Sequence, residues 1–320
     1  MESRAQEDDQ SAGWYRNGEE PVGFRRLADY DLSAFGFQQC ITPMPVPTYK
    51  KADLHMHSTA SDGRLAPDAL IAEAVDGGLD LVSLTDHDTV LGWPAFRKAA
   101  DAAGLSCIPG VEISARQAGV EVHMLGYGFD PDHPALTEFL ALQQERRNER
   151  AREFLSALKS GGHLPGHVEL NDAPEGTSWA RPHIARLLIE HGPVDSMDEA
   201  FDQFLVSGTD TFVPKPLPAG AEAIEVIHEA GGIMGLAHPG HHVPHQVVLR
   251  LVDAGLDAIE VVHPSHDRML ERYYASLAER FGLLMTGGSD YHARKGHREQ
   301  RLGERWFTPK AALLDALRTH

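Results

Sequence analysis

From Lys51 onward the chain repeats one unit: a helical stretch ending at glycine, a short apolar run, then a side chain able to ligate a metal. Gly77-Gly78 leads through residues 79–84 into Thr85-Asp86-His87, and Gly104 leads through 105–108 into Gly110-Val111-Glu112. Gly231-Gly232 leads through 233–237 to His238, Gly255 through 256–262 to His263, and Gly282 through 283–285 into Gly288-Ser289-Asp290. With 52–57 in front and 122–129 in the middle, seven strands are expected. Glycine after a helix supplies the left-handed residue that closes it. Near-continuous apolar strands separated by helices belong to a parallel sheet covered on both faces. This pattern predicts an α/β fold and leaves the sheet open or closed. In either case the strand-end polar residues converge, as at the C-terminal mouth of a β/α barrel.

The rhythm breaks between about 130 and 216. Residues 133–160 read as a long amphipathic helix with Leu136, Phe139, Leu140, Phe154, Leu155 and Leu158 as core, and 184–189 and 197–205 suggest further helices. The expected organisation is an N-terminal arm over 1–49, the first part of the barrel over 50–129, a helical insertion over the barrel mouth at 130–217, and the second part of the barrel over 218–320. The arm is rich in Gly, Asp, Glu and Pro, ends on Pro43, Pro45 and Pro47, and shows no hydrophobic periodicity. It is read as loosely held, with Trp14, Tyr15 and Phe24 docking on the main domain.

The 320 residues carry a formal charge of −18. That disfavours an extensive duplex-binding surface, which needs clustered Lys and Arg, but it leaves room for a small anionic substrate, because bound cations reverse the local sign of a pocket. No apolar run has membrane-spanning length and no signal-peptide pattern opens the chain. Two cysteines, Cys40 and Cys107, are too few for a disulfide framework. A cytoplasmic, membrane-free protein is expected.

The strongest local signal is Asp53-Leu54-His55-Met56-His57. Alternate strand residues share a face, so His55 and His57 point the same way and could bind one metal. Asp62, His87, Glu112, His123, His238, Asp290 and His292 complete a set of nine residues. Each alone has a bland reading as a turn, cap or buried polar residue; nine together do not share one. Imidazole and carboxylate donors without thiolate suit Mn, Zn or Fe, and ligand type does not choose among them. Two or three ions are expected, since nine ligands exceed one coordination shell.

These motifs, Asp-Leu-His-Met-His-Ser (53–58), Ser-Asp-Gly (61–63), Leu-Thr-Asp-His-Asp (84–88), Gly-Val-Glu-Ile-Ser (110–114), Ala-His-Pro-Gly (237–240) and Gly-Ser-Asp-Tyr-His (288–292), resemble the polymerase and histidinol phosphatase (PHP) family of phosphoesterases. The resemblance runs from about Lys51 to Gly303 and implies a distorted seven-stranded β/α barrel with a trinuclear site, manganese being favoured. It implies that His55, His57, Glu112 and Asp290 hold one metal. Glu112 would bridge to a second, held also by His123 and His238, and Asp62, His87 and His292 would hold the third. Within the family the sequence is most similar to the nucleoside 3′,5′-bisphosphate phosphatases, a branch that includes a 5′→3′ exoribonuclease. The shared features are the insertion, Arg181-Pro182-His183-Ile184-Ala185-Arg186, and Ile259-Glu260-Val261-Val262-His263-Pro264-Ser265-His266. The extension before Lys51 and the loop His238-Pro239-Gly240-His241-His242 depart from the family pattern.

The expected chemistry is hydrolysis of a phosphate monoester, foremost the 3′-phosphate of a nucleoside 3′,5′-bisphosphate, by metal-activated hydroxide. Discrimination would need a second anion site, for which Arg181, Arg150 and Lys215 are candidates because cationic side chains bind phosphate. Against Arg150, 145–150 reads as a solvated charged helix face. Arg181 and His183 are expected to take part in catalysis, since they precede an apolar helix and match the family motif. His266 could contact phosphate or protonate the leaving oxygen, or simply satisfy backbone groups. Asp53 is expected to support a histidine ligand from behind. The competing readings are a histidinol-phosphate-type phosphatase, an exoribonuclease acting on short RNA, and a non-catalytic metal-binding module.

Overall fold

The computed structural model describes residues 48–170, 179–293 and 301–317. The arm over 1–49, with Trp14, Tyr15 and Phe24, lies outside the described residues except at its last two positions. Seven strands form one sheet in chain order: β1 (Ala52–Asp53), β2 (Leu81–Leu84), β3 (Ser106–Gln117), β4 (Val120–Tyr127), β5 (Ile233–Leu236), β6 (Ala258–Val262) and β7 (Leu284–Gly287). The first and last edges meet. The Leu54 amide donates to the Gly287 carbonyl at 3.1 Å, the His57 amide donates to Tyr291 at 2.9 Å, and Met56 forms a parallel bridge with Tyr291. The sheet is therefore a nearly closed barrel, which removes its free edges.

Around it run α1 (Pro67–Asp76), α2 (Trp93–Ala103), α3 (Pro134–Ser160), α4 (Arg181–His191), α5 (Met197–Ala200), α6 (Gly220–Glu229), α7 (His245–Asp253), α8 (Arg268–Phe281) and α9 (Ala311–Ala316). Helices α1, α2, α7 and α8 each cross between parallel strands. Gly104 and Gly282 close α2 and α8 in the left-handed conformation, as the glycine rhythm requires. No helix among the described residues is long and apolar enough to cross a membrane.

Two expectations change. The sheet is not wholly parallel, because β4 runs antiparallel to both β3 and β5. Ala118 and Gly119, at φ +50° and +83°, form the two-residue turn of a β3–β4 hairpin, the geometry in which both central residues take positive φ. Consequently β3 is twelve residues long, and Glu112 and His123 lie within strands rather than beyond their ends. The first strand is also short: beyond Asp53 the run to His57 is extended but paired only through single contacts.

Helix α3 serves two cores. Leu136 and Leu140 are buried against the barrel's outer layer with Val111, Met124 and Ile227. Further along, Phe154, Leu155 and Leu158 join Ile184, Leu188 and Leu205 in a separate cluster. The region 197–205 is one turn of α-helix followed by a π-helical turn, Phe201–Leu205. These helices wall a cavity beside the strand ends.

Candidate metal centre

Strand alternation carries His55 and His57 into the barrel on one face; both are fully buried, with ring centroids 5.2 Å apart. Gly288 makes room for them, since a Cβ there would lie 2.4 Å from the His55 Cβ. Glu112 points into the same space. Its Oε2 is 3.3 Å from His55 Nε2, 3.1 Å from His57 Nε2 and 3.2 Å from His87 Nδ1. Its Oε1 is 2.9 Å from His123 Nδ1 and 3.0 Å from His238 Nε2. Asp290 Oδ1 lies 3.1 Å from His57 Nε2 and 3.4 Å from His55 Nε2. Asp62 Oδ1 is 3.0 Å from His292 Nε2. The structure thus brings all nine candidate residues into one cluster.

Within it, ligand atoms close enough to share a cation group as His55, His57, Glu112 and Asp290; as His57, Asp62, His87 and His292; and as His87, Glu112 and His123. His57 enters two groups, and His87 lies near both Asp62 and Glu112, so the sharing is wider than the resemblance implied. His238 reaches the same Glu112 oxygen as His123.

Hydrogen bonds join Glu112 to His55, His123 and His238, but they do not account for the rest of this crowding. Neither ring nitrogen of His57 makes a hydrogen bond, although Nε2 has carboxylate oxygens of Glu112 and Asp290 at 3.1 Å; His87 Nδ1 makes none either. Buried polar atoms without partners are costly. Here their lone pairs converge on shared space between donors, as metal ligands do. Six imidazoles and three carboxylates, without a thiolate, fit divalent Mn, Zn or Fe.

The electrostatics agree. Burial would raise the pKa of Glu112, but His87, His55 and His123 outweigh it and hold the carboxyl well below the ordinary range. Burial likewise opposes ionisation of Asp62, yet His292, His87 and His57 hold it low. For His57, burial favours the neutral ring, but Asp290 and Glu112 prevail and push it up to about 10. Burial, reinforced by His57 and His123, depresses His87. Without cations, charge balance in this pocket therefore depends on protons that a metal would displace.

Beside the cluster lies a cavity of about 270 Å³, lined by Asp62, His87 and His123 of the cluster, by Glu121, and by Arg147, Arg150, Arg181 and Lys215. Trp179, Phe154 and Phe201 supply apolar wall. Arg150 faces inward, not to solvent: Nε donates to the Val213 carbonyl at 2.9 Å and the guanidinium lies 5.0 Å over Phe154. Burial, then the charges of Arg181 and Arg147, brings it down to about 10. Arg181 stands 5.5 Å over Phe201. Lys215 pairs with Glu121 at 3.0 Å, and burial followed by Arg147 brings it down to about 8.

Two sequence candidates serve the backbone. His183 does not line the cavity; its Nδ1 accepts the Ala180 amide at 3.0 Å, capping the start of α4 from the third helical position. His266 is buried with both nitrogens engaged: Nδ1 donates to the Val261 carbonyl at 2.9 Å, and Nε2 accepts the Gly240 amide at 3.1 Å. That leaves no proton to give a leaving group. Asp53 also does not reach an imidazole. Its Oδ1 accepts the amides of Ser289 and His55 at 3.0 and 3.2 Å, and burial raises it to about 6.

Three further residues belong to the site. Glu260 contacts the His55 ring at 3.0 Å, and His263 Nε2 lies 3.6 Å from Asp290 Oδ2. Arg147 pairs with buried Asp88 and donates to Ser114 Oγ at 3.2 Å. A carboxylate inside the apolar run Ala258-Ile259-Glu260-Val261-Val262 was a visible signal for the first. Arg147 carried none, being one basic residue among several in a charged helix.

Known proteins resemble this chain over about three quarters or more of its length. Residues 53–205 match the PHP domain family. A 5′-3′ exoribonuclease Rnm of Escherichia coli K12 is 38% identical over 248 residues, 75% of this chain and 84% of that one. A 3′,5′-nucleoside bisphosphate phosphatase of Chromobacterium violaceum is 35% identical over 249 residues, covering 75% and 87%. A solved structure from Bifidobacterium adolescentis, described as a metal-dependent phosphoesterase, superposes with a TM-score of 0.73 at 29% identity, covering 83% of this chain and 95% of that one.

Proposed function

The chain belongs to the PHP family, is a metal-dependent hydrolase of phosphoester bonds, and from that premise we propose that it removes the 3′-phosphate of nucleoside 3′,5′-bisphosphates. The observation that carries this reading is the continuity of the nine-residue cluster with a cavity also lined by Arg147, Arg150, Arg181 and Lys215. A substrate with two phosphates spaced by one ribose meets both: one phosphate at the cluster, the other among the cations. At about 270 Å³ the cavity lies near the lower end of small-ligand pockets, which suits a nucleotide and not a duplex.

His55, His57, Glu112 and Asp290 would hold one cation, Glu112, His123 and His238 a second, and Asp62, His87 and His292 a third, with manganese favoured. When bound, these ions would acidify water and neutralise phosphoryl charge. The chain's own residues do the rest. Glu112 spans the cluster and fixes the spacing of its halves. Arg181 and Arg150 hold the second phosphate through guanidinium forks, and Lys215, in the same lining, adds charge. Trp179 offers an apolar face for a base. Arg147 is committed to Asp88 and positions α3.

A second reading, 5′→3′ hydrolysis of short RNA, is favoured by the similarity to the exoribonuclease; the same cation wall would receive a 5′-terminal phosphate. The protein, loaded with manganese and assayed for metal content, should hydrolyse adenosine 3′,5′-bisphosphate faster than histidinol phosphate or a 5′-phosphorylated oligonucleotide. Preference for histidinol phosphate defeats the two-phosphate reading, and preference for the oligonucleotide promotes the exoribonuclease. Metal-loaded protein that turns over none of them would be a non-catalytic module. Arg181→Ala should lower kcat/KM for the bisphosphate more than for a nucleoside monophosphate.

A further inference from the structure

Strand β6 places two ionisable side chains behind the candidate metal centre that belong to none of its nine predicted ligands. We propose that Glu260 and His263 form a positioning layer that sets the hydrogen-bonding state of His55 and the orientation of His238 and Asp290 as metal ligands. The inference rests on reading the nine-residue cluster as the metal centre.

Glu260 is fully buried in an apolar strand, and among the described residues its ion-pair partner is His55. A carboxylate so enclosed is costly unless its oxygens are used, and both are. Oε1 lies 3.0 Å from His55 Nδ1, and Oε2 accepts the His238 amide at 2.7 Å. With the Nδ1 hydrogen given to Glu260, His55 keeps a lone pair on Nε2, the atom that faces Glu112 and Asp290. A carboxylate behind a ligand imidazole fixes its tautomer and strengthens it as a donor. The second contact acts on the backbone. His238 has φ +22°, in a region disfavoured for a residue with a Cβ, and the Glu260 bond to its amide holds that peptide in place.

His263 is 6% exposed. Its Nδ1 accepts the Ser265 amide at 3.1 Å and faces the Ser265 hydroxyl at 2.7 Å, so the ring hydrogen sits on Nε2. That atom has no hydrogen bond and lies 3.6 Å from Asp290 Oδ2. Asp290, at φ +51°, is the second strained residue of the cluster. Its Oδ1 faces His55 and His57 while Oδ2 faces His263, so His263 selects which oxygen turns to the centre. His55, Glu260 and His263 are also close enough together to suggest a cation site of their own. Against that, His55 Nδ1 is already bonded to Glu260, and a cation there would have to displace its hydrogen while Nε2 serves the main centre.

The test is calorimetric titration of manganese into chelator-stripped full-length protein, with melting temperatures of the stripped forms. In Glu260→Gln the amide oxygen can still accept from His238, but the NH₂ group meets His55 Nδ1 and drives the ring hydrogen onto Nε2. The expected result is about a 10- to 100-fold loss of affinity in at least one manganese equivalent, with the stripped protein melting as wild type does. His263→Leu should also weaken manganese binding, and His263→Gln, which retains a donor near Nε2, should restore most of it. Wild-type affinity in both Glu260→Gln and His263→Leu, or a fall in affinity matched by a fall in the melting temperature of the stripped protein, overturns the proposal. A wild-type protein that takes up no manganese removes the metal-centre reading and this inference with it. Uptake by wild type and variants alike removes only the positioning layer.

Discussion

Glu112 brings five imidazoles, those of His55, His57, His87, His123 and His238, within 3.3 Å of its two oxygens. Such a residue tolerates no substitution that removes charge, and Glu112→Gln is expected to lose most bound manganese, measured by elemental analysis. His57→Ala and Asp290→Ala should abolish hydrolysis for the same reason. Because His57 holds its proton up to about 10 in the cation-free centre, metal uptake at neutral pH must release protons. Titrations in buffers of different ionisation enthalpy should show that release, with affinity rising as pH rises. Lys215 runs in the other direction. Burial, then Arg147, lowers it to about 8, so its charge is present below that pH and lost above it. KM for a bisphosphate should rise as pH passes 8, and Lys215→Arg should keep it flat. The folded pKa is depressed, so this group adds stability as pH rises from about 8 towards its unfolded value of 10.5. Weaker binding at high pH would then not be unfolding.

Helix α3 and the β3–β4 hairpin decide how the site is walled. Arg147 reaches from α3 to Asp88, which is 4% exposed and has φ +50°. Removing one partner of a buried pair leaves the other charge uncompensated, so Arg147→Ala should cost about 3–5 kcal/mol in denaturant unfolding. Arg147→Lys should recover only part, because an ammonium cannot fork onto both Asp88 and Ser114. Sequence periodicity placed α3 well, since its apolar residues recur at helical spacing. It did not show which charged residues of 145–150 turn inward, because a polar cavity demands cations where an apolar core demands leucines. The hairpin was missed because Ala118-Gly119 is a weak turn signal, and because β3 and β4 are apolar enough to pass for buried parallel strands. That direction matters: an antiparallel β4 brings His123 opposite Ser114, one pleat from Glu112.

At the scale of the molecule, cations that bind only the folded chain stabilise it by mass action, by about 4 kcal/mol at a thousandfold excess over Kd. Chelation should therefore lower the melting temperature by roughly 10 °C, and manganese should restore it. The seven-strand α/β repeat and its nine candidate ligands were legible in the sequence because both rest on local order: glycine-closed helices, apolar strands, and polar residues at fixed offsets from strand ends; closure of the sheet came only as what the family resemblance implied. Strand alternation alone put His55 and His57 on one face. The roles of His266 and Glu260 were decided only by tertiary structure, whereas His183 caps its own helix through a contact three residues away. A histidine's function depends on which atoms meet its two nitrogens. For His266 these are Val261 and Gly240, for His183 the start of its own helix, and for His55 the carboxylate of a residue 205 positions away. The Gly240 and Glu260 contacts are set by the curling of the sheet into a barrel, which brings distant strand ends to about 3 Å of one another, and no spacing along the chain encodes that distance.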